Sequence, residues 1–173
     1  MPNWCENDLM VEGPREVLDE FMKFAAGESP FDFNKLVPYP DEFQRLDDAA
    51  EAWAIENAGK NHQERGTPPK DGYSAGGYDW CVANWGTKWP ACDVEVGEPA
   101  PRYGGKTWEI VLHFKTPWSP PTPVIAKAAE RYPALSFDLR YFECGCCFHG
   151  VFRCNGGEIE EDASGEYFGD RGG

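Results

Sequence analysis

Residues 107–115 read Thr107-Trp-Glu-Ile-Val-Leu-His-Phe-Lys115, and apolar side chains occupy every second position of this stretch. Trp108, Ile110, Leu112 and Phe114 face one way, and Glu109, Val111, His113 and Lys115 face the other. A period of two residues is typical of a strand with one buried face. The stretch therefore predicts a half-buried strand, and it is the clearest strand in the chain.

The same alternation recurs towards both ends of the chain. Trp4 to Glu12 is predicted as a strand that buries Cys5, Asn7, Leu9 and Val11, and Ser136 to Phe142 as one that buries Phe137, Leu139 and Tyr141. Gly13-Pro14 opens a helix that Gly27 ends. A second helix is predicted after Ser119, with Ser119 as its cap and Pro120 in its first turn. Gly150 to Cys154 is expected to form the return arm of a hairpin.

The middle of the chain gives weaker signals. Phe31 to Val37 is predicted as a short strand, Asp41 to Ala58 as a helix, and Asp93 to Val96 as another short strand. Residues 60–77 are polar and rich in Gly and Pro, which predicts a long loop, and residues 99–105 are predicted as a turn. Tyr78 to Trp85 is compatible with either a helix or a strand.

This order of elements predicts an α+β fold. The predicted order is strand, helix, strand, an insertion, and then strand, helix, strand. Two such units make a split βαβ, or ferredoxin-like, sandwich with both helices on one face of an antiparallel sheet. We expect a single domain over residues 1–155, with a helical and loop insertion at about 41–96, and an acidic, glycine-rich frayed tail over 156–173. The second face of the sheet stays open unless the insertion covers it.

Composition limits the classes of function. The chain has 173 residues, 41% of them apolar, and a net charge of -14, which disfavours binding to phosphate backbones. No apolar run approaches a membrane span, and Met1 to Cys5 does not resemble a secretion signal, so we expect a cytoplasmic protein and no membrane partner. Its seven cysteines are then expected to be free thiols. The acidic balance indicates either simple solubility or a face for a basic partner.

Two tryptophan cassettes are the candidate binding residues. The first is Asn84-Trp85-Gly86-Thr87-Lys88-Trp89-Pro90, and the second is Thr116-Pro117-Trp118-Ser119-Pro120-Pro121. Large rings on a turn either lock a loop onto the core or form a recognition pocket, and the sequence leaves both open. In the second case, Lys88 could contact Trp85 or Trp89 through a cation–π interaction, and Asn84 and Thr87 could add hydrogen bonds.

These strings also carry a family resemblance that spans nearly the whole chain. It rests on Met1 to Cys5 with Asn7, Pro38 to Pro40, Asn84 to Trp89, Thr116 to Pro121 and Tyr141 to Gly150. In these segments the chain resembles the YubB-like family of phage and plasmid proteins. The resemblance implies a ferredoxin-like domain and a mobile genetic element as the source. It implies no reaction.

The cysteine-rich turn is a candidate metal site. Cys144 and Cys147 have the spacing of a zinc knuckle, and His149 or Cys154 could complete a ligand set. A second Cys pair is not evident, and a redox pair usually lies at a helix N-terminus, whereas this turn follows a strand. Ordinary thiols are therefore favoured, structural zinc stays an alternative, and no other cofactor is expected.

The open face of the sheet is a second candidate metal site. Glu6, Asp8, Glu109 and Asp138, together with His113, are expected to point outwards on it. Clustered carboxylates on such a sheet can hold a divalent cation for phosphoryl transfer. No glycine-rich phosphate loop accompanies them, and the aromatic signature of an RNA recognition motif is absent. Solvated side chains or salt bridges to Lys115 or Arg140 are the plainer interpretation.

The function favoured by the sequence is non-enzymatic. We expect an accessory protein of a phage or plasmid that binds a host or defence protein through an acidic surface or through the segment Trp85 to Trp89. One alternative is a metal- or nucleotide-binding domain or enzyme that uses the carboxylates of the open face. Another is a protein that binds single-stranded nucleic acid.

Overall fold

Seven strands form one antiparallel sheet in the computed structural model, which describes residues 3–167 apart from the side chain of His62. They are β1 (Trp4–Gly13), β2 (Cys92–Val96), β3 (Ala100–Arg102), β4 (Thr107–Pro117), β5 (Ser136–Glu143), β6 (Phe148–Asn155) and β7 (Glu158–Glu166). Across the sheet the order is β2-β4-β1-β5-β6-β7, and β3 also pairs with β4.

Six helices accompany the sheet in the same residues. They are α1 (Arg15–Ala25), α2 (Phe33–Leu36), α3 (Asp41–Glu56), α4 (His62–Arg65), α5 (Tyr78–Trp85) and α6 (Thr122–Arg131), with a π-helical turn at Tyr73–Gly77 directly before α5. No helix within residues 3–167 combines the length and the apolar content that crossing a membrane requires.

The predicted ferredoxin-like fold is confirmed. Four adjacent strands lie in the order β5-β1-β4-β2, and α1 and α6 provide the two crossovers of a split βαβ sandwich. β1 is the centre of the sheet, where Leu9 lies opposite Leu112 of β4 and Leu139 of β5. A slip of one residue would turn every buried side chain of β1 to the other face, so the alternation fixes this register.

The core lies between the sheet and the two crossover helices. Phe21 of α1 packs edge-on against Phe137 of β5 and Tyr132 at the end of α6, with both pairs of ring centroids 5.4 Å apart. Val124, Ile125, Ala128 and Ala129 form the inner stripe of α6 and are fully buried. Burial of each large side chain contributes about 1.5–3 kcal/mol, which makes this layer the main source of stability.

The strand predicted from Phe31 to Val37 is wrong. Residues 33–36 form α2, and three successive side chains, Phe31, Asp32 and Phe33, are buried, so burial does not alternate. Asp32 decides the conformation, because its Oδ1 accepts a hydrogen bond from the backbone N–H of Asn34 at 2.9 Å and so caps the helix. The strand beside β4 is instead β2, which the pattern over Asp93 to Val96 predicts.

Three other predictions also need correction. The loop expected over 60–77 contains α4 and the π-helical turn, and the turn expected over 99–105 includes β3. Ser119 does not cap α6, which begins after Pro121; its hydroxyl donates to the carbonyl of Gly86 at 2.6 Å. The undecided segment Tyr78–Trp85 is α5.

The frayed tail expected from residue 156 is wrong over most of its length. Glu158–Glu166 forms β7, which pairs with β6 from Phe148 to Asn155. Residues 168–173, the rest of the expected tail, lie outside the described residues, as do Met1 and Pro2. The sheet therefore extends two strands beyond the ferredoxin-like core.

Candidate functional site

Trp85, the first ring of the first cassette, is part of the core. Only 3% of its surface is exposed, and its ring packs against Phe33 and Tyr39. The indole Nε1–H donates to the carbonyl of Val37 at 2.8 Å. The burial and this hydrogen bond fix α5 against the segment that follows α2.

The two cassettes also bind each other. Thr87 is fully buried, and its hydroxyl donates to the carbonyl of Pro117 at 2.9 Å. Gly86 ends α5 with a φ of 81°, and its carbonyl accepts the hydroxyl of Ser119. The side chain of Asn84 donates back to the carbonyl of Trp80. Asn84, Trp85 and Thr87 thus have structural contacts that account for their positions, and their role in binding stays a prediction.

Lys88, Trp89 and Trp118 are the cassette residues that reach the surface. The Nζ of Lys88 lies 4.9 Å from the centroid of the Trp118 ring, and 39% of Trp118 is exposed. The cation–π contact expected with Trp85 or Trp89 is therefore made with the ring of the second cassette. Trp89 is half-buried. Their part in binding also stays a prediction, but their exposure permits it.

An aromatic pocket lies beside the first cassette. Its volume is about 210 Å³, and its walls include the rings of Tyr39, Tyr73, Trp85 and Trp89 and the carboxylate of Asp47. Asp47 is held in place, since it accepts from the hydroxyl of Tyr39 at 3.2 Å and from the backbone N–H of Tyr73 at 3.0 Å. Sequence reasoning identified Trp85 and Trp89 but missed Asp47 and the two tyrosines, which come from three separate segments.

Helix α3 presents an acidic surface. It carries six acidic residues, Asp41, Glu42, Asp47, Asp48, Glu51 and Glu56, against one base, Arg45. None of its 16 residues is buried, although the helix packs beside the π-helical turn. Asp48, Glu51 and Ile55 follow helical spacing and share one face, and 69% of Ile55 is exposed. We call these three residues the acidic face of α3.

The face of the sheet opposite α1 and α6 is open, because α5 of the insertion packs against α6 on the other side. Glu6, His113 and Arg140 are exposed on this face. A shallow hollow of about 390 Å³ lies between β1, β4 and β2, and both Asp8 and His113 line it. The predicted carboxylates do reach this face.

Three of the four predicted carboxylates lie beside a basic side chain there. Asp8 lies 2.6 Å from Nδ1 of His113, and Glu109 lies 2.6 Å from Nε of Arg102. Asp138 contacts Nε of Arg153 at 2.9 Å and Nε of Arg140 at 3.5 Å. Glu6 is opposite Lys115 in the register of β1 and β4. Of the two cations expected as partners, Arg140 contacts Asp138, whereas the ammonium group of Lys115 lies 3.0 Å from Asp93.

The candidate ligands of the cysteine-rich turn are not gathered around one point. Cys154 is buried on the core side of β6, while His149 is exposed on the open face, so the two lie on opposite sides of the sheet. Cys144 and Cys147 remain in the turn between β5 and β6. Within residues 3–167, no three His, Cys, Asp or Glu side chains are arranged to hold a metal ion.

The turn is organised by a buried carboxylate that the sequence did not reveal. Only 1% of Glu143 is exposed, and its two oxygens accept the backbone N–H groups of Gly145 at 2.6 Å and Cys146 at 2.5 Å. A side-chain hydrogen bond to Glu143 raises the pKa of the Cys146 thiol. A higher pKa disfavours the reactive thiolate, so Cys146 is poorly suited to redox chemistry.

Comparisons with known proteins agree with this fold. Residues 103–170 match a family model described as the ferredoxin-like domain in Api92-like protein. The chain is also similar to the crystal structure of Api92 from Yersinia pseudotuberculosis, with a TM-score of 0.59 and 11% sequence identity over 98% of this chain and 99% of that one. At this identity the Api92 structure shows the fold alone.

The same comparisons say nothing of activity. A search of curated proteins found no match. The matched domain is Api92-like, and the predicted YubB-like family and a phage or plasmid origin are not shown by it. Function therefore has to be argued from the surfaces described above.

Proposed function

We propose that this chain is a non-enzymatic binding module that docks a basic protein on the acidic face of α3. The observation that carries the proposal is a 16-residue helix without one buried residue in a domain whose other long helices, α1 and α6, bury their apolar stripes. Packing against the core stabilises most helices in proteins. A helix left this exposed is available to a partner.

The charge of α3 selects the partner. Six carboxylates against one guanidinium give the helix a net charge of -5, within a chain of net charge -14. Such a surface attracts a basic protein and speeds its association, with a range of about 8 Å at physiological ionic strength. The same surface repels a phosphate backbone, so a function in binding single-stranded nucleic acid has less support.

The acidic face also offers apolar contact. The exposed side chain of Ile55 lies between Asp48 and Glu51 in the helical projection. Apolar side chains ringed by charges are typical of interface centres, where the rim excludes water. The exposed ring of Trp118 under Lys88 is the other surface with this character, and it supports the same class of function.

The setting completes the proposal. In a phage or plasmid, which the YubB-like resemblance implies, the partner would be a protein of the bacterial host or of its defence, and the complex would form in the cytoplasm. An enzyme on the open sheet face has less support, because Glu109 and Asp138 each lie beside an arginine and Asp8 lies beside Nδ1 of His113. A carboxylate that already has an arginine beside it is a poor ligand for a second cation.

A capture experiment with matched variants tests the proposal. The tagged protein is incubated with bacterial lysate beside Asp48→Lys/Glu51→Lys, which reverses two charges on the acidic face. The control is Glu20→Lys/Glu158→Lys, which reverses two exposed charges elsewhere and changes the net charge equally. We expect the first variant to lose a basic partner by about tenfold or more, because like charges then face each other. Equal retention by both variants, or no partner for the wild type, would overturn the proposal.

A further inference from the structure

The aromatic pocket lies beside α3, because Asp47 of that helix is one of its lining residues. Four aromatic residues, Tyr39, Tyr73, Trp85 and Trp89, are among those that line it. Tyr39 and Trp85 are packed on each other, with ring centroids 5.9 Å apart, so this wall is rigid. The faces of aromatic rings carry negative potential, and such walls attract cations.

The size of the pocket limits what it can hold. Pockets that bury drug-sized ligands measure about 300–1,000 Å³. This pocket measures about 210 Å³, which suits a single side chain instead. Gln44, an exposed residue of α3, also lines the pocket. A side chain that projects from a partner docked on α3 could enter beside it.

The charge at the pocket favours a cation. Burial raises the pKa of the Tyr39 hydroxyl, and the nearby negative charges of Asp47 and Asp71 raise it further. Among the described residues that line the pocket, Lys88 is the single cation, and its ammonium group stacks on Trp118. Each oxygen of Asp47 accepts one hydrogen bond and keeps capacity for another.

We propose that this pocket receives the side chain of an arginine from the basic partner that docks on α3, an inference that rests on the proposed function. The aliphatic part of the arginine packs between the rings, and its guanidinium group donates to Asp47. Arginine is favoured over lysine because the guanidinium group is planar, stacks on aromatic faces and presents two parallel donors to a carboxylate. The pocket then selects which basic segment binds, while the acidic face attracts it.

The probe is a pentapeptide with one central arginine flanked by glycines, beside the same peptide with citrulline, which is neutral and nearly isosteric. Binding is followed by NMR through the indole N–H signals of Trp85 and Trp89, which Trp85→Phe and Trp89→Phe assign one at a time. We expect the arginine peptide to shift these signals with a dissociation constant of roughly 1 mM. Citrulline should shift them much less, because the cation is missing. Equal shifts from both peptides, or none from arginine, would overturn the inference.

A matched pair of variants locates the site. Asp47→Asn keeps the shape of the side chain and can still accept the N–H of Tyr73, so the fold should survive. We expect it to weaken the arginine peptide about tenfold, because a charged hydrogen bond is lost. Glu20→Gln removes the same charge on α1, outside both the pocket and the acidic face, and should change the affinity by less than about twofold because exposed charges contribute little. An equal loss of affinity in both variants would show that only the net charge of the protein matters. That result would overturn the inference that arginine binds in the pocket.

The outcomes separate the two proposals. If Asp48→Lys/Glu51→Lys loses the partner but the arginine peptide does not bind, the proposed function stands and the pocket inference fails. If the arginine peptide binds as expected but the charge-reversed protein keeps its partner, the pocket is a cation site and docking on α3 fails.

Discussion

The indole of Trp85 and the carbonyl of Val37 are joined by a 2.8 Å hydrogen bond across 48 positions of the chain. The bond links the end of α5 to the segment that leaves α2. It lies directly behind the aromatic pocket, whose wall includes the Trp85 ring. The shape of the pocket therefore depends on a residue that is itself part of the core.

Replacing Trp85 tests this dependence. Trp85→Phe keeps a ring but leaves the carbonyl of Val37 without its donor, and we expect a loss of about 1–3 kcal/mol in the free energy of unfolding. Urea denaturation measures it. Trp118→Phe, at the exposed ring of the second cassette, is the control and should cost less than about 0.5 kcal/mol, as surface changes usually do. Similar losses in the two variants would show that Trp85 is not anchored as described.

Asn7 and Thr116 form a buried polar link between β1 and β4. The amide of Asn7 donates to Thr116 Oγ1 at 2.9 Å, and the Thr116 hydroxyl donates to the carbonyl of Ser119 at 2.7 Å. Thr116→Val breaks both hydrogen bonds at nearly constant shape, and we expect it to cost about 1–3 kcal/mol because buried polar groups lose their partners. Thr107→Val, in the half-buried first position of β4, should cost less in the same thermal or urea unfolding assay. If Thr116→Val left the free energy of unfolding unchanged, the link between Asn7 and Thr116 would be contradicted.

Glu143 is expected to stabilise the cysteine-rich turn through its two backbone hydrogen bonds. Glu143→Gln keeps the shape but offers one acceptor in place of two, so one of the N–H groups of Gly145 and Cys146 loses its partner. We expect a loss of about 1–3 kcal/mol and faster hydrogen exchange at those two amides. Glu166→Gln, an exposed residue of β7, should leave their exchange unchanged. Unaltered exchange in Glu143→Gln would show that the carboxylate does not hold the turn.

The buried thiols predict how stability changes in alkali. Burial raises the pKa of Cys5 to about 12 and that of Cys81 and Cys154 to about 11. An unfolded thiol ionises near a pH of about 8.5, so the folded state holds these protons more tightly. Their contribution is complete below that pH and is lost as the pH rises towards the folded pKa values.

Urea midpoints at pH 7.5 and pH 10 measure this effect. We expect a lower midpoint at pH 10, and a smaller fall for Cys5→Ala, which removes the thiol with the most strongly raised pKa. A midpoint that stays constant between the two pH values, or an equal fall in both proteins, would contradict the account of the buried thiols.

The elements predicted correctly are those whose period was visible in the sequence. β1, β4 and β5, strands of eight to eleven residues, alternate because each packs one face on the core. β7 has no such signal, since almost all of its side chains are exposed and backbone pairing with β6 holds it. The sequence from Phe31 to Val37 has an alternating apolar pattern that resembles a strand. The segment begins a helix instead, because the side chain of Asp32 caps it.

The site was predictable only in part, because it depends on contacts between distant segments. The cassettes drew attention to Trp85, Lys88, Trp89 and Trp118, yet nothing local distinguishes the buried Trp85 from the exposed Trp118. The partner of Lys88 is 30 positions away. The acidic balance was plain from the sequence, but its concentration on an unburied helix required the structure.

Cross-linking of the captured complex tests the central claim most directly. A carbodiimide joins carboxylates to lysines in contact, and mass spectrometry identifies the joined residues. Docking on α3 predicts that links to the partner concentrate at Asp48 and Glu51, with few at Glu20 of α1. Links concentrated instead at Glu6 and Asp8 of the open sheet face would contradict it and move the binding surface to the other side of the sheet.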